Sequence, residues 1–326
     1  MIEILLKEWI EQVKYYIHLI ADYSIKESQV GAVLDDVLNL SGKMLRSKLL
    51  LLCAFLGSNW KNNKEKICKL AAMVELTHLA SLIHDDIVDD SPYRRGKVSV
   101  QGKYGKDAAV FAGDFLIARI FYYGAVENLN EAVSILSKTV EYMCIGEIEQ
   151  DLCRYQEDIS ENKYFENIER KTAALFQAAC YIGAKESGCS EEVIQKLELF
   201  VKNLGLMFQL KDDILDFTSN SKELGKETHK DFQNGIYTFP VIMALKNPKA
   251  QEVLLPIMRK NREEKLSLAE ILQLQNYIIQ FGGIEASYEK IKYLSTINRQ
   301  LIKELGQNSE ITVYLEKILN DLEVKK

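Results

Sequence analysis

The sequence predicts a chain built of long helices, and three observations carry this. Only four prolines, Pro92, Pro240, Pro248 and Pro256, occur in 326 residues, and proline is the strongest helix breaker. Apolar residues make up 47%, enough for a substantial core, and they recur at helical spacing in segment after segment. No fixed-period repeat appears and no linker divides the chain, so residues 1–326 are expected to form one domain.

In order, residues 1–23 alternate apolar and charged positions, with Ile4, Leu5, Trp9, Val13, Ile17 and Ile20 at helical spacing. Gly42 then breaks the chain before an apolar helix, with Lys43 and Arg46 at its start. Helix N–H groups flanked by Lys and Arg make a ready anion site. A helix from about 63 to 90 follows and Ser91-Pro92 ends it. The loop beyond carries Arg94 and Arg95 in a Gly- and Lys-rich setting suited to phosphate contact. Helix resumes at 107 in a strongly apolar segment, and again over 130–157. Lys171-Thr172 opens a small, apolar stretch where a lysine needs an anion or an exit to solvent. The helix from about 190 to 217 carries Gln209 and Lys211. The polar stretch after it, with Lys226 and Asp231, reads as a mobile loop. Amphipathic helices fill 236–324.

Two of these helices end in the same acidic pattern. Asp85, Asp86 and Asp89 in LIHDDIVDD have the spacing D-D-x-x-D, which recurs as Asp212, Asp213 and Asp216 in QLKDDILDF. Random placement would give roughly 0.04 occurrences per chain, so two are a strong signal. On a helix, residues three and four apart are neighbours, so the acids of one cluster can face the same way and repel. A cation between them reverses the sign, and Mg²⁺ is held by one or two carboxylates together with substrate phosphates. His78 lies two turns before Asp85 on the same face.

Other classes are excluded. A net charge of −6 argues against a general nucleic-acid binder. No P-loop and no Ser-His-Asp set is present. Glu3, Lys7 and Glu8 interrupt the first apolar stretch, so no signal peptide is expected, and no uncharged run reaches the roughly 18 residues of a membrane span. Cys53, Cys68, Cys144, Cys153, Cys180 and Cys189 form no C-x-x-C pair and read as reduced thiols of a cytoplasmic protein. Acids alone would suggest a metal store. Acids with Lys43, Arg46, Arg94, Arg95, Lys171, Lys211 and Lys226 suggest one anionic ligand bridged by Mg²⁺ and another gripped directly. The chemistry expected of such a set is metal-assisted departure of a phosphate or diphosphate into an apolar cavity.

From Gly42 to Pro240 the chain resembles the trans-prenyltransferases, or polyprenyl diphosphate synthases. GKMLR, ELTHLASLIHDDIVDD, RRG, GDFL, GEIEQD, KTAALF, GLMFQLKDDILDF, LGK and YTFP occur in the family's order. The resemblance implies an all-α, isoprenoid-synthase-type bundle around a deep central cavity. It implies three Mg²⁺ on Asp85, Asp89 and Asp212, with Asp86, Asp213 and Asp216 in support. Asp85, Asp86, Asp89, Lys171, Asp212 and Asp213 are the expected catalytic set. Arg94, Lys171, Thr172, Gln209 and Lys226 are expected on the allylic diphosphate, and Lys43, Arg46, His78 and Arg95 on isopentenyl diphosphate. Small residues at Ala80 and Ser81 leave the product tunnel open, unless Phe121, Tyr122 or Tyr123 closes its floor. They imply a medium- or long-chain product grown from farnesyl or geranylgeranyl diphosphate, and one that can be handed to the membrane. A homodimer, or a heteromer with a small subunit, is implied as well. Ser41, Met44 and Ser47 replace a Gly, a basic residue and a Pro of the family pattern, and Gly235-Ile236-Tyr237 lacks a cation found there. The alternatives are a terpene cyclase or head-to-head synthase, the large subunit of a heteromeric synthase inactive alone, and a helical scaffold without activity.

Overall fold

The computed structural model describes residues 2–22, 28–39, 42–94, 96–218, 230–306 and 309–323. Among these the regular structure is helical apart from one pair of two-residue strands. It divides into two compact units. The first holds Met1–Val140, Leu175–Glu198 and Ser309–Ile311; the second holds Glu141–Ala174, Leu199–Asn308 and Thr312–Lys326. Neither unit is one continuous stretch, and the boundaries after 140, 198 and 311 fall inside helices rather than in linkers.

In the first unit, α1 (Ile2–Ile20) buries Trp9, Val13, Ile17 and Ile20 as the period of the sequence requires. After α2 (Gln29–Leu38), α3 (Leu45–Ala54) buries Leu49 to Ala54 without interruption. A helix apolar all round belongs in the interior. The long α4 (Lys64–Val88) packs against α1, α3 and α6 (Lys106–Val126). Trp9, Phe55 and Trp60 form an aromatic cluster with ring centres 4.9–5.7 Å apart. Against α3 lies α9 (Ala174–Glu186), and here glycine is required: a Cβ at Gly183 would stand 2.2 Å from the Leu50 carbonyl oxygen.

Between α4 and α6 the sequence reads as loop, but the structure forms a hairpin. Strands β1 (Tyr93–Arg94) and β2 (Lys97–Val98) pair antiparallel. Gly96 supplies the positive φ of 77° that so tight a turn needs. A short α5 (Val100–Tyr104) then leads into α6. By length and composition both α4 and α6 could cross a membrane. The apolar window of α4 is 72% buried, which makes it a core helix, whereas that of α6 is only 39% buried.

α7 (Asn130–Leu152) begins in the first unit and ends in the second. Next come α8 (Glu161–Ile168) and a five-residue π-helical turn, Glu169–Ala173. From α10 (Glu191–Thr218) the second unit takes Phe200, Val201, Leu204, Met207, Leu210, Ile214 and Phe217, all buried at helical spacing. The turn α11 (Lys230–Gln233), α12 (Phe239–Ala244), α13 (Pro248–Glu263), α14 (Leu268–Gln280), α15 (Gly283–Glu304) and α16 (Glu310–Leu322) complete the chain. The interior of this unit carries one amide pair: Asn203 donates to Asn298 at 2.9 Å, and Asn298 donates to the Phe200 carbonyl.

Candidate active site

The first acid cluster sits where α4 stops. Asp89 is the C-cap, Asp90 follows at a left-handed φ of 49°, and Pro92 stands just beyond. This is how a helix is ended sharply. Asp85 is half-buried and Asp89 exposed, while Asp86 is buried at 2% exposure. The three acids therefore do not share one face. Successive residues turn by about 100°, so when Asp85 and Asp89 look outward Asp86 swings inward. There both its oxygens lie 2.8 Å from Nε of Arg94. Its own carbonyl accepts from the Ser91 N–H and the Gln101 amide. Arg94, expected on phosphate, thus spends its Nε on the acid cluster; the β hairpin brings it there.

His84 packs on α6 at Gly113, where an added Cβ would stand 2.3 Å from Nε2 and push the ring aside. The same nitrogen lies 3.4 Å from the Asp114 carboxylate. His78 is half-buried, and its carbonyl accepts from the Ser81 hydroxyl at 2.8 Å. Ala80 is fully buried. Of the three aromatics on α6, Tyr123 is buried, Phe121 half-buried and Tyr122 exposed. Burial pushes the Tyr123 phenol up to about 12.

At the start of α3, Lys43 is exposed and Met44 holds a left-handed φ of 51°. Such a conformation costs a non-glycine residue free energy and gathers at functional sites. The guanidinium of Arg46 stands 4.4 Å from the Phe176 ring centre. Ser47, where the family pattern has proline, donates to the buried Glu75 at 2.9 Å. All of these belong to the first unit.

In the second unit, Asp212 is exposed, Asp216 half-buried and Asp213 only 1% exposed. Asp213 accepts from the Tyr164 hydroxyl on one oxygen and from the Gln209 amide on the other, the latter at 3.0 Å. Burial pushes its carboxyl up to about 7, against the lowering effect of these two donors; Asp231 and Asp212 add to the rise. Thr172 donates to the Gln209 carbonyl oxygen at 3.2 Å. Lys171 holds Glu147 at 2.8 Å. Both Lys171 and Thr172 lie on the π turn, a rare feature that favours functional sites. The turn is pressed close to glycines of two helices: a Cβ on Gly146 would meet Arg170 at 3.0 Å, and one on Gly205 would meet Ala173 at 2.9 Å.

Tyr164 was not singled out in the sequence. It stands seven residues before Lys171, two turns along the same face, and that register was the available signal. Arg95 and Lys226 lie outside the described residues.

Among the described residues, no three acidic, histidine or cysteine side chains converge as a metal cage. The donors present suit a different kind of site. Asp85 with Asp89, and Asp212 with Asp216, are i,i+4 pairs of exposed or half-buried residues, although Oδ2 of Asp216 is itself buried. A hard divalent ion needs no more protein than this when substrate phosphates complete its shell.

The polyprenyl synthetase family model matches residues 27–275. The heptaprenyl diphosphate synthase component 2 of Bacillus subtilis is 37% identical over 71% of this chain, and the match spans 65% of that protein. The component 2 of Geobacillus stearothermophilus is 34% identical over 80% of both chains. Among solved structures, a Caulobacter crescentus polyprenyl synthase complexed with calcium and isoprenyl diphosphate superposes with a TM-score of 0.87 at 28% identity, covering 98% of this chain and 96% of its own. The heptaprenyl diphosphate synthase of Staphylococcus aureus gives 0.85 at 26%, covering 98% of each.

Proposed function

This chain belongs to the polyprenyl synthetase family, and from that premise we propose that it condenses isopentenyl diphosphate with an allylic diphosphate, repeatedly and head to tail, to give a trans-polyprenyl diphosphate. The observation that carries the reading is the duplicated acid cluster: in each copy one acid is buried and anchored while the first and third are left at or near the surface.

Asp85, Asp89 and Asp212 are the proposed ligands of three Mg²⁺, with Asp216 one turn beyond Asp212 on α10. Bound there, the metal neutralises the charge that develops on a departing diphosphate. Arg94, Lys171, Thr172, Gln209 and Lys226 bind and orient the allylic diphosphate, while Lys43, Arg46, His78 and Arg95 hold isopentenyl diphosphate. The allylic C–O bond breaks with its electron pair on the diphosphate. The alkene of isopentenyl diphosphate attacks the allylic cation, and a proton passes to the departed diphosphate. The product is one isoprene unit longer. Fixed cations aimed at the leaving group favour the transition state over the bound substrate, and an apolar surround keeps water from the cation.

Ala80 is small and buried in α4, which supports a tunnel open beyond farnesyl length and a medium- or long-chain product. Relatives named heptaprenyl and solanesyl diphosphate synthase agree with this. The six free cysteines support a reducing, cytoplasmic setting. Two copies of the chain associate through α6, whose exposed face carries Phe111, Tyr122 and Val126. A second reading is favoured by the relatives named component 2: this chain is the catalytic member of a two-component synthase and needs a small companion.

Sizing the products made from farnesyl diphosphate and labelled isopentenyl diphosphate tests the reading. A ladder ending beyond geranylgeranyl is expected. Asp85→Ala and Asp212→Ala are each expected to lower turnover by about a hundredfold or more. A product no longer than geranylgeranyl refutes the open tunnel, and extension only with an added companion favours the second reading.

A further inference from the structure

The middle acids of the two clusters are buried alike but held differently. Asp86 faces a cation, Arg94. Asp213 faces neutral donors, the phenol of Tyr164 and the amide of Gln209. Tyr164 is itself buried on α8, its ring against Phe165 and Phe239 with centres 5.1 and 5.4 Å away. Those contacts fix the ring, so the hydroxyl has a defined direction. The polar chain continues from Asp213 through Gln209 to Thr172 on the π turn. Both oxygens of Asp213 are therefore engaged within the second unit.

We infer that Tyr164 is a positioning residue for the second acid cluster. Its phenol anchors Asp213, and the anchored side chain sets the rotation of α10 at which Asp212 and Asp216 are presented. A neutral anchor suits this place: it fixes the acid without adding a positive charge beside carboxylates that attract a divalent cation, as an arginine would. Tyr164 touches neither metal nor substrate in this account and acts through Asp213 alone. The inference rests on the metal-binding reading of the cluster.

Mn²⁺ binding in the presence of inorganic diphosphate, read by electron paramagnetic resonance, tests it without any turnover. The sites that Asp212→Ala abolishes define those of the second cluster. Tyr164→Phe removes one hydroxyl and keeps the aromatic packing. It is expected to weaken Mn²⁺ at these sites by about 10- to 100-fold, the usual effect of losing a group that orients a ligand. Asp213→Asn keeps an oxygen for the Tyr164 hydroxyl but turns an N–H toward the Gln209 amide, which must flip to meet it, and it is expected to weaken Mn²⁺ by less than Asp212→Ala does. Thermal melting of each variant reports whether it is folded, and if Tyr164→Phe does not fold, Asp213→Asn carries the test. Unchanged affinity in folded Tyr164→Phe overturns the positioning role. Loss in Asp213→Asn as deep as in Asp212→Ala also overturns it, because Asp213 is then a ligand rather than an anchor. If Asp212→Ala abolishes no Mn²⁺ sites, the metal-binding reading of the cluster fails first, and the inference falls with it.

Discussion

Asp86 has almost no access to water, and its stability depends on Arg94. A buried ion pair contributes little over an apolar pair of the same volume, but removing one partner leaves a stranded charge. Arg94→Ala is therefore expected to cost about 3–5 kcal/mol. Asp86→Asn in the same chain should restore most of that, as urea unfolding midpoints would show. A simple additive loss in the double variant would contradict the pairing. At this scale D-D-x-x-D marked the two clusters in the sequence, but the shared face expected of their acids was wrong, since Asp86 and Asp213 turn inward. The partners of the inward acids were not legible either. Arg94 reaches Asp86 only through a hairpin that depends on Gly96, and Tyr164 reaches Asp213 across 49 residues. Spacing within one helix says nothing about contacts made by the fold.

The helices were legible from proline scarcity and periodicity, and the ends of the acidic helices fell within two residues of expectation: 64–88 against 63–90, and 191–218 against 190–217. The π turn was not legible, because Lys171 and Thr172 have the composition of any helix; close approach to Gly146 and Gly205 accompanies the turn. Caps offer a sharper check. The start of α14 carries a capping box in which Ser267 and Glu270 satisfy each other's backbone N–H. Lys260 foremost, then Ser267, pull the Glu270 carboxyl down to about 2. A depressed carboxylate stabilises the fold above its unfolded value near 4.5, and the gain is lost as pH falls toward 2. The difference in melting temperature between the unmodified chain and Glu270→Gln should therefore be constant above about pH 5, shrink as pH falls through 4 and 3, and be nearly gone by pH 2. A difference that persists there would mean that charge is not its source.

The chain groups into two compact units that share helices, each carrying one acid cluster, an arrangement compatible with the single domain proposed from the sequence. Sequence order could not reveal this, because each unit is assembled from separated segments. The outer face of α6 was not legible either: an apolar helix reads as core until burial is seen. Phe111 is 71% exposed and Tyr122 62%. Sedimentation equilibrium should give twice the 37.3 kDa of one chain, and Phe111→Glu should return the single-chain mass. A monomer in the unmodified chain would remove α6 as an interface.

The reaction itself is tested most directly by label transfer. The purified chain would be given farnesyl diphosphate and labelled isopentenyl diphosphate, with Mg²⁺ present or chelated. The account predicts label in extractable polyprenyl product only when Mg²⁺ is present, and its loss in Asp85→Ala. No label at any Mg²⁺ concentration, or incorporation that survives chelation or Asp85→Ala, would contradict it.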